Sequence, residues 1–160
     1  MEKVRKELDR ASKERDELTL SVLRMLSSVL HDKEKRKRYS LAGKGLSEEG
    51  LESASRLSDD EALETIVSEA KKRKESIEAF RKAGREDRAT REEEELKVLE
   101  KYLPERISPE ELEELVKKAI EETGAKERRD IGKVMARVMP LVKGRADGSD
   151  ISSLANRMLS

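Results

Sequence analysis

The sequence predicts an all-α protein of two helical domains, and three observations carry that prediction. Apolar residues recur three and four positions apart over most of the chain. Ser, Asp and Pro stand where those runs begin, and Gly or Pro where they end. No stretch alternates apolar and polar residues long enough to require a sheet, and neither a hairpin signature nor an internal repeat is present. The composition agrees, because 45% charged and 34% apolar residues suit amphipathic helices with narrow buried stripes. With no Trp, one Phe and two Tyr, the core must be built from Leu, Val, Ile, Met and Ala, which pack helices better than β-sandwiches.

Val4, Leu8, Ala11, Leu18, Val22, Met25 and Val29 share one heptad-like phase, so residues 2–38 are expected to be helical nearly throughout. Arg15 is the one residue out of character. Asp16 offers a capping side chain and Glu17 a first-turn charge, which favours two helices meeting there over one continuous helix. Leu23, Leu26 and Leu30 widen the second stripe and mark that helix as the centre of its bundle.

Residues 39–56 hold Gly43, Gly45 and Gly50 among serines and acids, as a mobile loop or irregular insertion would, with Ser47 able to cap a short turn. Ser58 and Glu61 then form a capping box. The helix they open carries Leu63, Ile66, Val67, Ala70, Ile77 and Phe80 until Gly84 closes it. A further helix is expected over about 86–102, with Ala89, Leu96, Leu99 and Leu103 inward and Glu92 to Glu95 mostly outward, stopped by Pro104.

Residues 103–108 form the expected boundary between a domain over 1–103 and a three-helix domain over 108–160. Ser108, Pro109 and Glu111 suit N-cap, N1 and N3, and Leu112, Leu115, Val116, Ala119 and Ile120 follow before Gly124. The next helix is expected over about 130–139, with Ile131, Val134, Met135 and Val138 inward and Pro140 after it. The last starts near Asp147 and uses Ile151, Leu154, Ala155, Met158 and Leu159.

The chemistry these residues offer is sparse. One His, no Cys and serines placed mainly at helix starts supply no nucleophilic constellation, and scattered carboxylates specify no metal site, so neither a catalytic residue nor a cofactor is expected. His31 suits a helix C-terminus as a structural or solvent-facing cation. Ala42-Gly43-Lys44-Gly45-Leu46-Ser47 lacks the spacing of a phosphate loop. Glu2, Lys3, Arg5, Lys6 and Glu7 leave no apolar run at the start, and the stretch 18–30 is too short to span a bilayer, so a soluble cytoplasmic protein without a secretory signal or membrane span is expected.

Net charge is zero, with 36 basic and 36 acidic residues, so no global field draws the chain onto nucleic acid. Locally the balance shifts, from 7 basic against 14 acidic over 86–122 to 8 against 4 from Gly124 onward. The basic runs Lys33 to Arg38 and Lys71 to Lys74 suit a helix C-terminus and one-turn ion pairs respectively, with phosphate binding by either as the alternative. Lys133 and Arg137 stand one turn apart on the face opposite Ile131, Val134 and Val138, and Lys143-Gly144-Arg145 lies in the loop before the last helix. Lys133, Arg137, Lys143, Gly144 and Arg145 are therefore the candidate RNA-binding residues. The same features also suit a simple turn whose cations keep a small domain in solution. No aromatic residue lies on that face, so RNA there would be read through shape and phosphates.

Several runs of the sequence resemble the YqeY-like proteins. These are Leu20-Ser21-Val22-Leu23-Arg24-Met25-Leu26, Glu75-Ser76-Ile77-Glu78-Ala79-Phe80, Ala83-Gly84-Arg85-Glu86-Asp87, Tyr102-Leu103-Pro104, Gly132-Lys133-Val134-Met135 with Met139-Pro140, and Val142-Lys143-Gly144-Arg145-Ala146-Asp147-Gly148. The resemblance runs in order over nearly the whole chain and lapses at 39–56, which looks longer than the family's usual connection. It implies a helical domain followed by a three-helix domain similar to the tail of GatB, the B subunit of the tRNA-dependent amidotransferase. That tail helps hold tRNA while glutamine- and ATP-dependent amidation of Glu-tRNA or Asp-tRNA proceeds in other domains. The resemblance extends to Lys133, Lys143, Gly144, Arg145 and Asp147 as a tRNA-facing surface, and to no catalytic residue.

The sequence thus predicts a non-catalytic module that binds tRNA or another structured RNA. The alternative is a protein-interaction adaptor whose amphipathic helices dock a protein partner.

Overall fold

A computed structural model describes residues 2–159, so Met1 and Ser160, the outer ends of the two expected domains, lie outside the described residues. Among these residues the fold is all helical, with eight α-helices, one 3-10 turn and no strand. Contacts divide the chain into two compact units, Met1–Leu103 and Pro104–Ser160.

The first unit holds α1 (Glu2–Glu14), α2 (Glu17–Leu41), α3 (Glu48–Ser55), α4 (Asp59–Lys82) and α5 (Glu86–Glu100). Helix α1 ends at Arg15, whose φ of 56° is the left-handed conformation that stops a helix. The Asp16 N–H closes that end on Ala11 O at 3.0 Å. The Asp16 carboxylate then accepts from Thr19 N at 3.0 Å and caps α2. Two helices therefore meet at Arg15, and the second is central: α2 packs against α1, α3, α4 and α5. Leu23, Leu26 and Leu30 are at most 1% exposed and form one cluster with Val4, Val22, Ile66, Val98 and Leu99. Burying each such leucine contributes about 1.5–3 kcal/mol.

Residues 39–56 are only in part the loop that their glycines suggested, because the irregular stretch is 42–47 and helices occupy most of the rest. Helix α2 continues to Leu41, and α3 occupies Glu48–Ser55, capped by the Ser47 hydroxyl, which accepts from Gly50 N at 3.1 Å. Two acids in its first turn, Glu48 and Glu49, complement the positive end of the helix, and Gly50 is tolerated where a Cβ would meet Ser47 Oγ at 3.1 Å.

The capping box at Ser58 and Glu61 is formed in both directions, with Ser58 N donating to Glu61 Oε2 at 2.8 Å and Glu61 N to Ser58 Oγ at 3.2 Å. Gly84 ends α4 at φ 69°. Helix α5 runs antiparallel to α4, since Arg81 pairs with Glu86 and Glu93 near the turn and Arg73 with Glu92 and Glu95 farther from it. The acidic run is thus corrected in part. Glu92 and Glu95 face α4, because the guanidinium of the mostly buried Arg73 needs their charge.

The second unit holds α6 (Pro109–Thr123), a 3-10 turn (Arg128–Asp130), α7 (Ile131–Val138) and α8 (Gly148–Met158). Ser108 Oγ accepts from Glu111 N at 3.1 Å, Pro109 opens α6, and Gly124 closes it at φ 63°. Val116, Val134, Val138, Val142 and Ile151 are at most 1% exposed and anchor the core that the three helices share.

Candidate nucleic-acid interface

The predicted site residues fall at two places rather than one. Lys133 and Arg137 project from α7 with side chains 62% and 56% exposed. Lys133 Nζ donates to Asp130 Oδ1 at 2.7 Å, and Arg137 Nε to Glu122 Oε2 at 2.7 Å. Asp130 also accepts from the backbone N–H of Lys126 and Glu127 in the segment that follows α6. These donors, Lys133 first, hold its carboxyl at about 2. The Glu122 carboxyl is lowered as well, chiefly by its bond from Arg137.

Arg145 lies at the other end of α6. Its guanidinium donates to both oxygens of Glu111, at 3.1 and 3.3 Å, and to the Glu105 carbonyl at 3.3 Å. Its own carbonyl accepts from Ile107 N at 3.0 Å. Glu111 and Glu122 are separated by just over three turns, so they share a face of α6 about 16 Å apart along its axis. Gly144, at φ 76°, makes the turn that aims Arg145 back toward the start of α6, and Lys143 beside it is partly buried. The Arg145 contacts read as a clamp on residues 105–107. Arg106 strengthens it by reaching Asp147 at 3.2 Å and Asp150 at 3.1 Å.

The sequence therefore located these cations but not their partners. Residues 124–160 are basic by count, yet α6 brings Glu111 and Glu122 against them. The other basic runs are largely paired too. Lys37 meets Glu61 at 2.6 Å, Lys33 meets Glu64 at 3.6 Å, and Lys72 meets Glu69 at 2.6 Å. His31 is 63% exposed with Nδ1 3.8 Å from Glu34. Among the described residues no group of three or more His, Asp or Glu is placed to hold a metal ion. No helix among them is long and apolar enough to cross a membrane.

Sequence reasoning missed Tyr39, placed in the expected loop but standing in the last turn of α2 with its side chain in solvent. Its spacing from Lys35 and Arg36, one turn earlier, was the available signal.

The fold and this surface define an all-helical, two-unit protein whose exposed charges are mostly satisfied within the chain. The family model described as Yqey-like protein matches residues 1–159, and the chain belongs to the YqeY-like family. It is also similar to altered inheritance of mitochondria protein 41, mitochondrial, from Pyrenophora tritici-repentis (strain Pt-1C-BFP), at 41% identity over 101 residues, which is 61% of this chain. The match spans 55% of that relative's length.

Proposed function

We propose that the chain is a non-catalytic module that holds tRNA or another structured RNA through its C-terminal unit. The observation that carries this reading is the pair Lys133 and Arg137, one turn apart and mostly exposed on α7. Their ion pairs do not prevent phosphate binding, because exposed pairs contribute only about 0–1 kcal/mol and exchange readily for a second anion. Asp130 keeps its backbone donors when Lys133 leaves it, which lowers the cost of that exchange. Arg145 and the Gly144 turn would offer a second contact farther along the RNA backbone. Family membership supports the reading, since the C-terminal part resembles the tail of the amidotransferase B subunit. On this view carbon–nitrogen ligation with glutamine as donor belongs to multidomain relatives.

The test is tRNA binding by the full chain across a salt series. Wild type should bind at low salt, and the double variant Lys133→Glu with Arg137→Glu should lower the slope of log affinity against log salt by roughly one per cation. Absence of binding at low salt, or a slope that the double variant leaves unchanged, defeats the proposal. A second reading, a protein-interaction adaptor, is favoured by Met139 and Leu141, 44% and 53% exposed on either side of Pro140. Monomeric sedimentation at high concentration and no partner recovered from cells would count against it.

A further inference from the structure

We infer that the C-terminal end of α2 is a second nucleic-acid contact, a stacking site for unpaired nucleotides with Tyr39 as its platform and Arg36, Arg38 and Lys44 as its phosphate contacts. Tyr39 is 80% exposed. The chain's other two aromatic residues, Phe80 and Tyr102, pack against apolar clusters. A bare ring is costly in water and gains most from a flat apolar partner, and a nucleobase is such a partner with a charged phosphate attached.

The surroundings supply the complementary charge. Residues 33–44 hold six basic side chains and one acidic. Lys35 and Arg36 stand four and three positions before Tyr39, so they flank its ring on the helix surface. Neither Arg36 nor Lys44 has a carboxylate within 4.0 Å among the described residues, in contrast to Lys133, Arg137 and Arg145. Arg38 approaches Glu48 at 3.7 Å and Lys35 approaches Asp32 at 3.9 Å, long exposed contacts that phosphate displaces easily.

The groove beside the ring is lined by Lys35, Arg38, Tyr39, Ala42 and Leu51. Its apolar floor is only Ala42 and Leu51, too little to seat the apolar face of a partner helix. One exposed ring beside spaced cations instead matches one base and its neighbouring phosphates. The acids Glu48 and Glu49 at the start of α3 confine the strand to the α2 side, toward Lys44.

The test uses the full chain and an unstructured RNA of about eight nucleotides, a length within the usual footprint of such sites. Binding is followed by anisotropy at low salt, and by quenching of tyrosine emission in a Tyr102→Phe background that leaves Tyr39 as the sole tyrosine. Tyr39→Phe should bind like wild type, while Tyr39→Ala should weaken binding about tenfold or more. Arg36→Glu with Lys44→Glu should weaken it further and flatten its salt dependence. The site is exposed, so unchanged helical circular dichroism of each variant checks the fold. Equal affinity of Tyr39→Ala and wild type, absence of quenching, or capture of an acidic peptide in place of the oligonucleotide overturns the inference. Those results leave the α7 reading standing if tRNA binding still responds to Lys133→Glu and Arg137→Glu.

Discussion

Lys37 Nζ lies 2.6 Å from Glu61 Oε2, the same oxygen that accepts the Ser58 N–H and closes the N-terminus of α4. One carboxylate therefore caps a helix and ties it to the central helix of the unit. The Lys37 hydrogen bond, and after it the Ser58 backbone N–H, lower the Glu61 carboxyl from 4.5 to about 2.

A depressed folded-state value means that the stabilisation is complete above pH 4.5 and fades as the pH falls from there toward 2. Asp130 behaves alike below 3.8, with Lys133 as its main partner. Glu61→Gln should therefore lower the melting temperature by a few degrees at neutral pH and flatten its acid dependence. Melts followed by circular dichroism between about pH 2 and 7 check this. An acid limb as steep as that of wild type would contradict it.

Arg73 carries the α4–α5 contact, reaching Glu92 at 2.8 Å and Glu95 as well, with its own side chain 14% exposed. Its Nε is buried without a hydrogen-bond partner. Arg73→Met should destabilise the first unit by about 1–3 kcal/mol in urea, because Glu92 loses its counter-charge and Glu95 keeps only the exposed Arg91. Adding Glu92→Gln and Glu95→Leu should recover most of that loss, since the cost lies in stranded charge rather than in missing volume.

Leu26 and Ile151 are fully buried, one in each unit. Truncating either to Ala should cost about 2–5 kcal/mol, measured by chemical denaturation.

Arg145→Ala should release residues 105–107 from their clamp while leaving the core of the second unit closed. Amide exchange at Ile107, whose N–H is bonded to Arg145 O, should quicken, with exchange at the wholly buried Val134 and Val138 unchanged. Arg145→Lys should restore protection only in part, because an ammonium cannot hold both Glu111 oxygens and the Glu105 carbonyl in one plane.

Helix identities were legible where local chemistry decides them. Ser58, Ser108 and Asp16 cap where their side chains suggested, and Gly84 and Gly124 take the left-handed conformation that only local sterics require. Small shifts, such as α5 ending at Glu100 rather than near Tyr102, reflect how gradually helix ends unwind. Residues 48–55 were hidden because glycines and serines signal a loop, while the Ser47 cap and first-turn acids that offset them form too short a pattern. The candidate site was legible as a set of cations but not as a pattern of charge. Which acid meets Arg137 or Arg145 depends on how α6 lies against them, and pairing over 15 and 34 residues leaves no periodic trace.

The left-handed turn at Arg15 settles where the apolar seam of the first helix goes. Unbroken, residues 2–41 would form a rod about 60 Å long. Its stripe through Val4 and Ala11 could then be dried only by another molecule, as in a coiled coil. Folded back, α1 places Val4 beside Val22 and Leu23, and the seam is sheltered by its own chain. Replacing the Arg15-Asp16 turn with two alanines should favour the straight rod, and sedimentation would then register the second copy that its uncovered seam demands.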